Sequence, residues 1–250
     1  MTELVTYHSQ PELKAAFLVE IGKHEIADQI TKGTYGQMNG QWHGCAIGCS
    51  LRSLNLLSGK PHDRNTGQHD RIPKELGWPL WLAYAEDNIF ENLPDELAKT
   101  WPRRLAEAIP VGVTVPDLVL AKMLRWMLIG DRFGVVHAAD DETVKNIVSR
   151  MGALFDRTIA GEVVLKTEWN EAARAAWAAW AAWDAFYPAM SEELLRLLRE
   201  LEPAKVGGRL MFRTLSVWWA WLGRQHVVLR WPQLRRVSED WIAEGNVRRW

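Results

Sequence analysis

The chain has 250 residues, 48% hydrophobic and 24% charged, with a formal net charge of −1. That length and mixture exclude a disulfide-stapled miniprotein, a disordered polyelectrolyte and a collagen-like repeat, and predict one substantial domain or two small ones. No run approaches the ~20 apolar residues that cross a bilayer, and the first residues lack the basic and apolar regions of a secretion signal, so no membrane partner and a cytoplasmic location are expected.

Helical periodicity dominates and predicts an all-α fold, an irregular multi-helix bundle with one long Ala/Trp-rich helix. Pro11 opens a first helix reaching about Thr31, and the three glycines that follow, up to Gln41, predict a loop. A second helix starts near His43 or Gly44 and stops before Gly59 and Pro61. Residues 60–71 read as polar and irregular. Pro79, Pro94, Pro102 and Pro116 each mark an expected first helical turn. A further helix is expected over 140–155, a break at Gly161, and then an alanine-rich helix over about 168–187. Ser191, followed by Glu192 and Glu193, reads as the cap of another helix. A boundary near residue 160 divides a helical region 1–160 from an Ala/Trp-rich region 161–250 with a basic tail, expected to pack on the first.

On the alanine-rich helix, Trp177, Trp180 and Trp183 share a side opposite Ala175, Ala178, Ala182 and Ala185. Such a row serves core packing, docking of a second copy of the chain, or stacking of bases. The tail 204–250 carries nine Lys or Arg against three acids and six of the fifteen tryptophans. Its charge either docks on the acidic remainder of the chain or attracts nucleic acid through Arg209, Arg213, Arg230, Arg235 and Arg236.

The run Trp42-His43-Gly44-Cys45-Ala46-Ile47-Gly48-Cys49 is the most informative. Two cysteines make no disulfide framework; in a reducing compartment they are packing residues, metal ligands or reactive thiols. In a first helical turn, Cys45 meets unpaired amides and the helix dipole, which stabilise a thiolate. Cys45, Cys49 and Arg52 fall on one side of that helix, and Gly44 and Gly48 permit close approach by backbone or ligand. The same small residues also suit tight helix packing. Glu20, His24 and Asp28, spaced by four, form one stripe on the first helix, where carboxylates flank an imidazole. His24 then serves Cys45 as a base, with Asp28 or Asp87 orienting it, if the helices meet on those faces. Glu86 and Asp87 sit among Trp81, Leu82, Ile89 and Phe90, so one of them is expected to be buried, with Arg52 or His24 as its partner.

A metal reading from His43, Cys45 and Cys49 with His62 or His69 lacks the second cysteine pair usual in structural zinc sites. His62, Asp63, His69 and Asp70 resemble the His-Asp pairs of metal-dependent phosphohydrolases, but those sit on apolar helices rather than in a loop bounded by glycine and proline. No metal or cofactor is assigned. The order of Cys45 and, far downstream, His226 resembles that of bacteriocin-processing cysteine peptidases, whose histidine sits on a strand that this chain does not predict.

The blocks 24–35, Gly44-Cys45-Ala46-Ile47-Gly48-Cys49, Glu75-Leu76-Gly77-Trp78-Pro79, 86–91 and 101–112, with the Ala-rich C-terminal half, resemble an uncharacterised family of bacterial and phage proteins. That resemblance points to His24, Asp28, Cys45, Cys49, Glu86 and Asp87 and supplies no substrate. The leading expectation is a helical binding or interaction protein. Its polar pocket, around the cysteine-bearing helix, would include Cys49, Arg52, Glu86 and His43 and take a protein partner or a small ligand. The rivals are a cysteine-dependent hydrolase or transferase built on Cys45, His24, Asp28 and Asp87, and nucleic-acid binding by the tail.

Overall fold

The computed structural model describes residues 4–39, 41–59, 68–138, 142–165, 167–169 and 187–202. Their regular structure is almost all helix, as the periodicity requires: α1 Pro11–Ile26, α2 Ala46–Leu57, α3 Arg71–Leu76, α4 Leu80–Asn92, α5 Asp95–Ala108, α6 Asp117–Ile129, α7 Val135–Ala138, α8 Glu142–Ile159 and α9 Tyr187–Arg199. One small hairpin interrupts them, β1 Gln37–Asn39 against β2 Gln41–His43, antiparallel with Met38 opposite Trp42. Strands of three residues are too short for alternation to reveal.

Proline starts α1 at its first position and stands directly before α4, α5 and α6. Pro102 departs from this pattern: it lies inside α5, where its buried ring contributes packing while the Ala98 carbonyl loses its helical donor. α1 ends at Ile26 rather than Thr31, because Asp28 adopts a left-handed φ of 51° and turns the chain away. α9 begins at Tyr187, ahead of Ser191, whose hydroxyl donates to the Pro188 carbonyl at 2.7 Å inside the helix instead of capping it. The tryptophan row at 177, 180 and 183 lies outside the described residues, as does the basic tail.

The core gathers Trp78, Trp101, Phe17, Phe90 and the apolar faces of α1, α2 and α4. Tyr7 and Phe17 both meet Trp78 edge-on, at 5.8 and 6.0 Å between ring centroids. The N-terminal segment is stitched to the loop after α5. Thr6 Oγ1 donates to the Pro110 carbonyl at 2.6 Å and accepts from Val113 N at 3.0 Å, and the Tyr7 hydroxyl donates to the Ala106 carbonyl at 2.7 Å. Gly77, which ends α3 at φ 68°, allows this crossing, since a Cβ there would stand 1.9 Å from the Val5 carbonyl oxygen. α6 and α8 approach closely at Gly152, and α9 packs on α4, α5 and α6 through Leu194, Leu195 and Leu198. Among the described residues no helix is long and apolar enough to cross a membrane.

Candidate functional site

The segment between α1 and α2 folds back along the start of α2 and builds one wall of the site. Thr31 N donates to the Gly44 carbonyl at 2.9 Å, Gly44 N to the Gln29 carbonyl at 3.0 Å and Cys45 N to the Thr34 carbonyl at 2.6 Å. Gly48 makes this possible, because a Cβ at that position would lie 2.0 Å from the Tyr35 carbonyl oxygen. The glycines of the motif therefore serve a backbone crossing, and the crossing carries Tyr35 over the cysteine.

Cys45 is the residue capping α2 rather than a member of its first turn, and its Sγ accepts the Gly48 amide at 3.5 Å. α4 brings Asp87 and Glu91, one turn apart, to the same point: the Cys45 sulfur and one oxygen from each carboxylate lie within 4.8 Å of one another. Cys45 and Asp87 are buried and Glu91 is half-buried, opening the group towards solvent. Asp87 Oδ2 contacts His69 Nε2 at 3.0 Å and accepts the Tyr35 hydroxyl at 3.4 Å. Glu91 accepts the Gly33 amide through both oxygens, at 3.0 and 3.2 Å. His69 is itself stacked on Tyr84 at 4.6 Å and meets Tyr35 edge-on at 5.9 Å. The turn that presents it is anchored by Arg71, which donates to Asn55 of α2 and to Glu75 at 2.8 and 2.7 Å.

The electrostatics of this group oppose ionisation of Cys45, Tyr35 and Glu91. Burial, reinforced by the Asp87 carboxylate, pushes the Cys45 thiol well above the ordinary thiol value. Burial and Asp87 likewise raise the Tyr35 hydroxyl, and burial raises Glu91 against the stabilising Gly33 amide. Among the described residues neither Asp87 nor Glu91 is paired with a lysine or arginine. Lys32, whose field reaches Glu91, directs its ammonium to the Leu93 carbonyl and to Asp95.

The other expected site residues are placed elsewhere. The His24 ring hydrogen-bonds Gln29 Oε1 through Nδ1 at 2.7 Å and packs on the Trp42 indole at 5.1 Å, and its buried Nε2 has no hydrogen-bond partner. Desolvation lowers its basicity. No hydrogen bond joins it to Cys45. Asp28, displaced from the helical stripe by the end of α1, pairs at 2.9 Å with Lys99 on the surface instead of orienting His24. Cys49 is buried and donates to the Gly44 carbonyl at 3.5 Å, with burial and Glu86 raising its thiol. Arg52 lies 4.9 Å over the Trp42 ring, and His43 is half-buried on β2. Glu86 is buried beside Ser50, which donates to it at 2.9 Å, so its partner is a serine rather than Arg52 or His24. Its other oxygen is unpartnered, and burial pushes it up to about 8.

Tyr35 and Glu91 were not singled out from the sequence as partners of Cys45, and His69 was considered only as a fourth ligand beside His43, Cys45 and Cys49, whereas it contacts Asp87. The readable signal was the four-residue spacing of Asp87 and Glu91 on a helix otherwise apolar on that side; nothing local marked Tyr35. His62, Asp63, His226 and the arginines at 209, 213, 230, 235 and 236 lie outside the described residues. Comparison of the chain with models of known families, with curated proteins and with solved structures finds no match, so a functional reading rests on the residues themselves.

Proposed function

We propose that this chain is a helical binding protein whose small ligand seats where the cap of α2 meets the Asp87–Glu91 face of α4. The observation that carries the reading is the convergence of Cys45, Asp87 and Glu91 within 4.8 Å, with Glu91 half-buried and, among the described residues, no lysine or arginine paired with either carboxylate. A ligand bearing positive charge answers that imbalance, and Tyr35 and His69 hold the receiving groups in place. Binding is favoured over cysteine catalysis for a physical reason. The nucleophile in such catalysis is the thiolate, whereas Cys45 is buried beside a carboxylate that opposes its ionisation.

Two measurements on the whole chain test this. Melting temperature across a panel of amines, amidines and divalent cations is expected to rise with at least one member, and to rise less in Glu91→Gln; a panel that leaves the wild type unmoved refutes the reading. Alkylation followed at the Cys45 peptide is expected to be slow in the folded protein and fast in denaturant. A fast burst at Cys45 at neutral pH would instead favour cysteine chemistry.

A further inference from the structure

We infer that the ligand of this group is a thiophilic divalent transition-metal ion of the zinc class, bound by Cys45 Sγ and the carboxylates of Asp87 and Glu91. The inference rests on the binding reading above and names its ligand. A lone cysteine or an acidic pair would not support it; here a sulfur and two carboxylates from two separate helices converge within 4.8 Å. A second observation is independent of the carboxylates. Cys45 is about 1% exposed, its sulfur accepts the Gly48 amide and, among the described residues, its S–H makes no hydrogen bond, although the sulfur lies beside α4.

The donor set selects the ion. Magnesium and calcium take oxygen ligands and have no use for a buried sulfur, whereas zinc and cobalt accept thiolate with carboxylate. Donors around one tetrahedral zinc stand about 3.3–3.8 Å apart, given bonds of about 2.0–2.3 Å. A contraction of up to about 1–1.5 Å, within reach of side-chain rotation, brings the three donors to that spacing. Three protein ligands leave one position open, on the side of half-exposed Glu91. His69 acts as a positioning residue: its Nε2, 3.0 Å from Asp87 Oδ2, holds the carboxylate as an outer-shell partner does, with its ring clamped between Tyr84 and Tyr35. On binding, the Cys45 S–H bond breaks, a metal–sulfur bond forms, and the proton passes to the buffer. No electrons are transferred.

The experiment uses Co2+ as the probe on the full chain, then Zn2+ in competition. One Co2+ per chain is expected, with a near-ultraviolet thiolate-to-cobalt charge-transfer band that Zn2+ abolishes, and with proton release measured by calorimetry in buffers of different ionisation heat. The band should vanish in Cys45→Ser and persist in Cys49→Ser. Affinity should fall at least about 10-fold in Glu91→Gln and about 10–100-fold in His69→Gln, the latter with the band retained. Far-ultraviolet circular dichroism confirms that each variant is folded, and half-exposed Glu91 supplies the readout if the cysteine variant does not fold. Absence of stoichiometric Co2+ binding, a band unchanged in Cys45→Ser, or a band lost in Cys49→Ser overturns the assignment. If a purely organic amine or amidine raises the melting temperature through Glu91 while Co2+ and Zn2+ do not bind, the metal inference fails and the binding reading stands.

Discussion

Glu86 provides the most quantitative test of the buried polar arrangement next to the site. Its carboxyl is about 1% exposed, receives the Ser50 hydroxyl at 2.9 Å and leaves one oxygen without a partner, and burial raises it from an ordinary value of 4.5 to about 8. A folded-state value above the unfolded one means that the native protein holds the proton more tightly. The associated stability is therefore fully present below about pH 4.5 and is lost as pH rises towards 8. Each unit of that window is worth about 1.4 kcal/mol, so raising pH from 4.5 to 7.5 should cost on the order of 4 kcal/mol through this group alone. Glu86→Gln removes the titration and keeps the shape. Its absolute stability also includes the cost of a buried amide, so the pH dependence is the informative quantity. Urea denaturation of wild type and variant at pH 5.0, 6.5 and 8.0, with a chelator present to keep Asp87 free of metal, should show the gap moving in favour of the variant as pH rises. A gap independent of pH would refute the claim that Glu86 is held protonated in the core.

Four further outcomes follow from the same contacts. Gly77→Ala places a Cβ 1.9 Å from the Val5 carbonyl at a left-handed φ and should destabilise by about 2–4 kcal/mol in chemical denaturation. Thr6→Val deletes a hydroxyl that donates to Pro110 and accepts from Val113, at an expected cost of about 1–3 kcal/mol by the same measurement. Lys99→Ala, which removes the exposed partner of Asp28, should leave the melting temperature almost unchanged. His24 has its basicity lowered by burial, so its contribution is complete above its unfolded value and lost on acidification below it. His24→Gln should narrow the stability difference between pH 7 and pH 5 relative to wild type.

The fold was legible where the chain obeys local rules. Proline pre-sets the dihedral of a helix start, so Pro11, Pro79, Pro94 and Pro116 marked the beginnings of α1, α4, α5 and α6. The same rule misplaced Pro102, because a buried ring in a helix that makes tertiary contacts can offset one lost hydrogen bond. Asp28 failed for a related reason. Four-residue spacing places side chains on one face only while the helix continues, and α1 stops before the third member of the stripe.

The candidate site was legible on each helix and illegible between them. Periodicity assigns Cys45 to the start of α2 and a buried acid to α4, but it does not say which loop crosses them, and that crossing decides the chemistry. Within the Gly-Cys-Ala-Ile-Gly-Cys motif, Gly48 is explained by the Tyr35 backbone, Gly44 by the Trp42 ring 2.6 Å from where its Cβ would be, and Cys49 by its burial against the Gly44 carbonyl. Packing accounts for each of these. It does not account for Cys45, since the N-cap position favours serine, threonine, asparagine or aspartate, any of which would accept the Gly48 amide better than sulfur does. The use of sulfur at position 45 therefore argues for a role in which the sulfur itself is the donor.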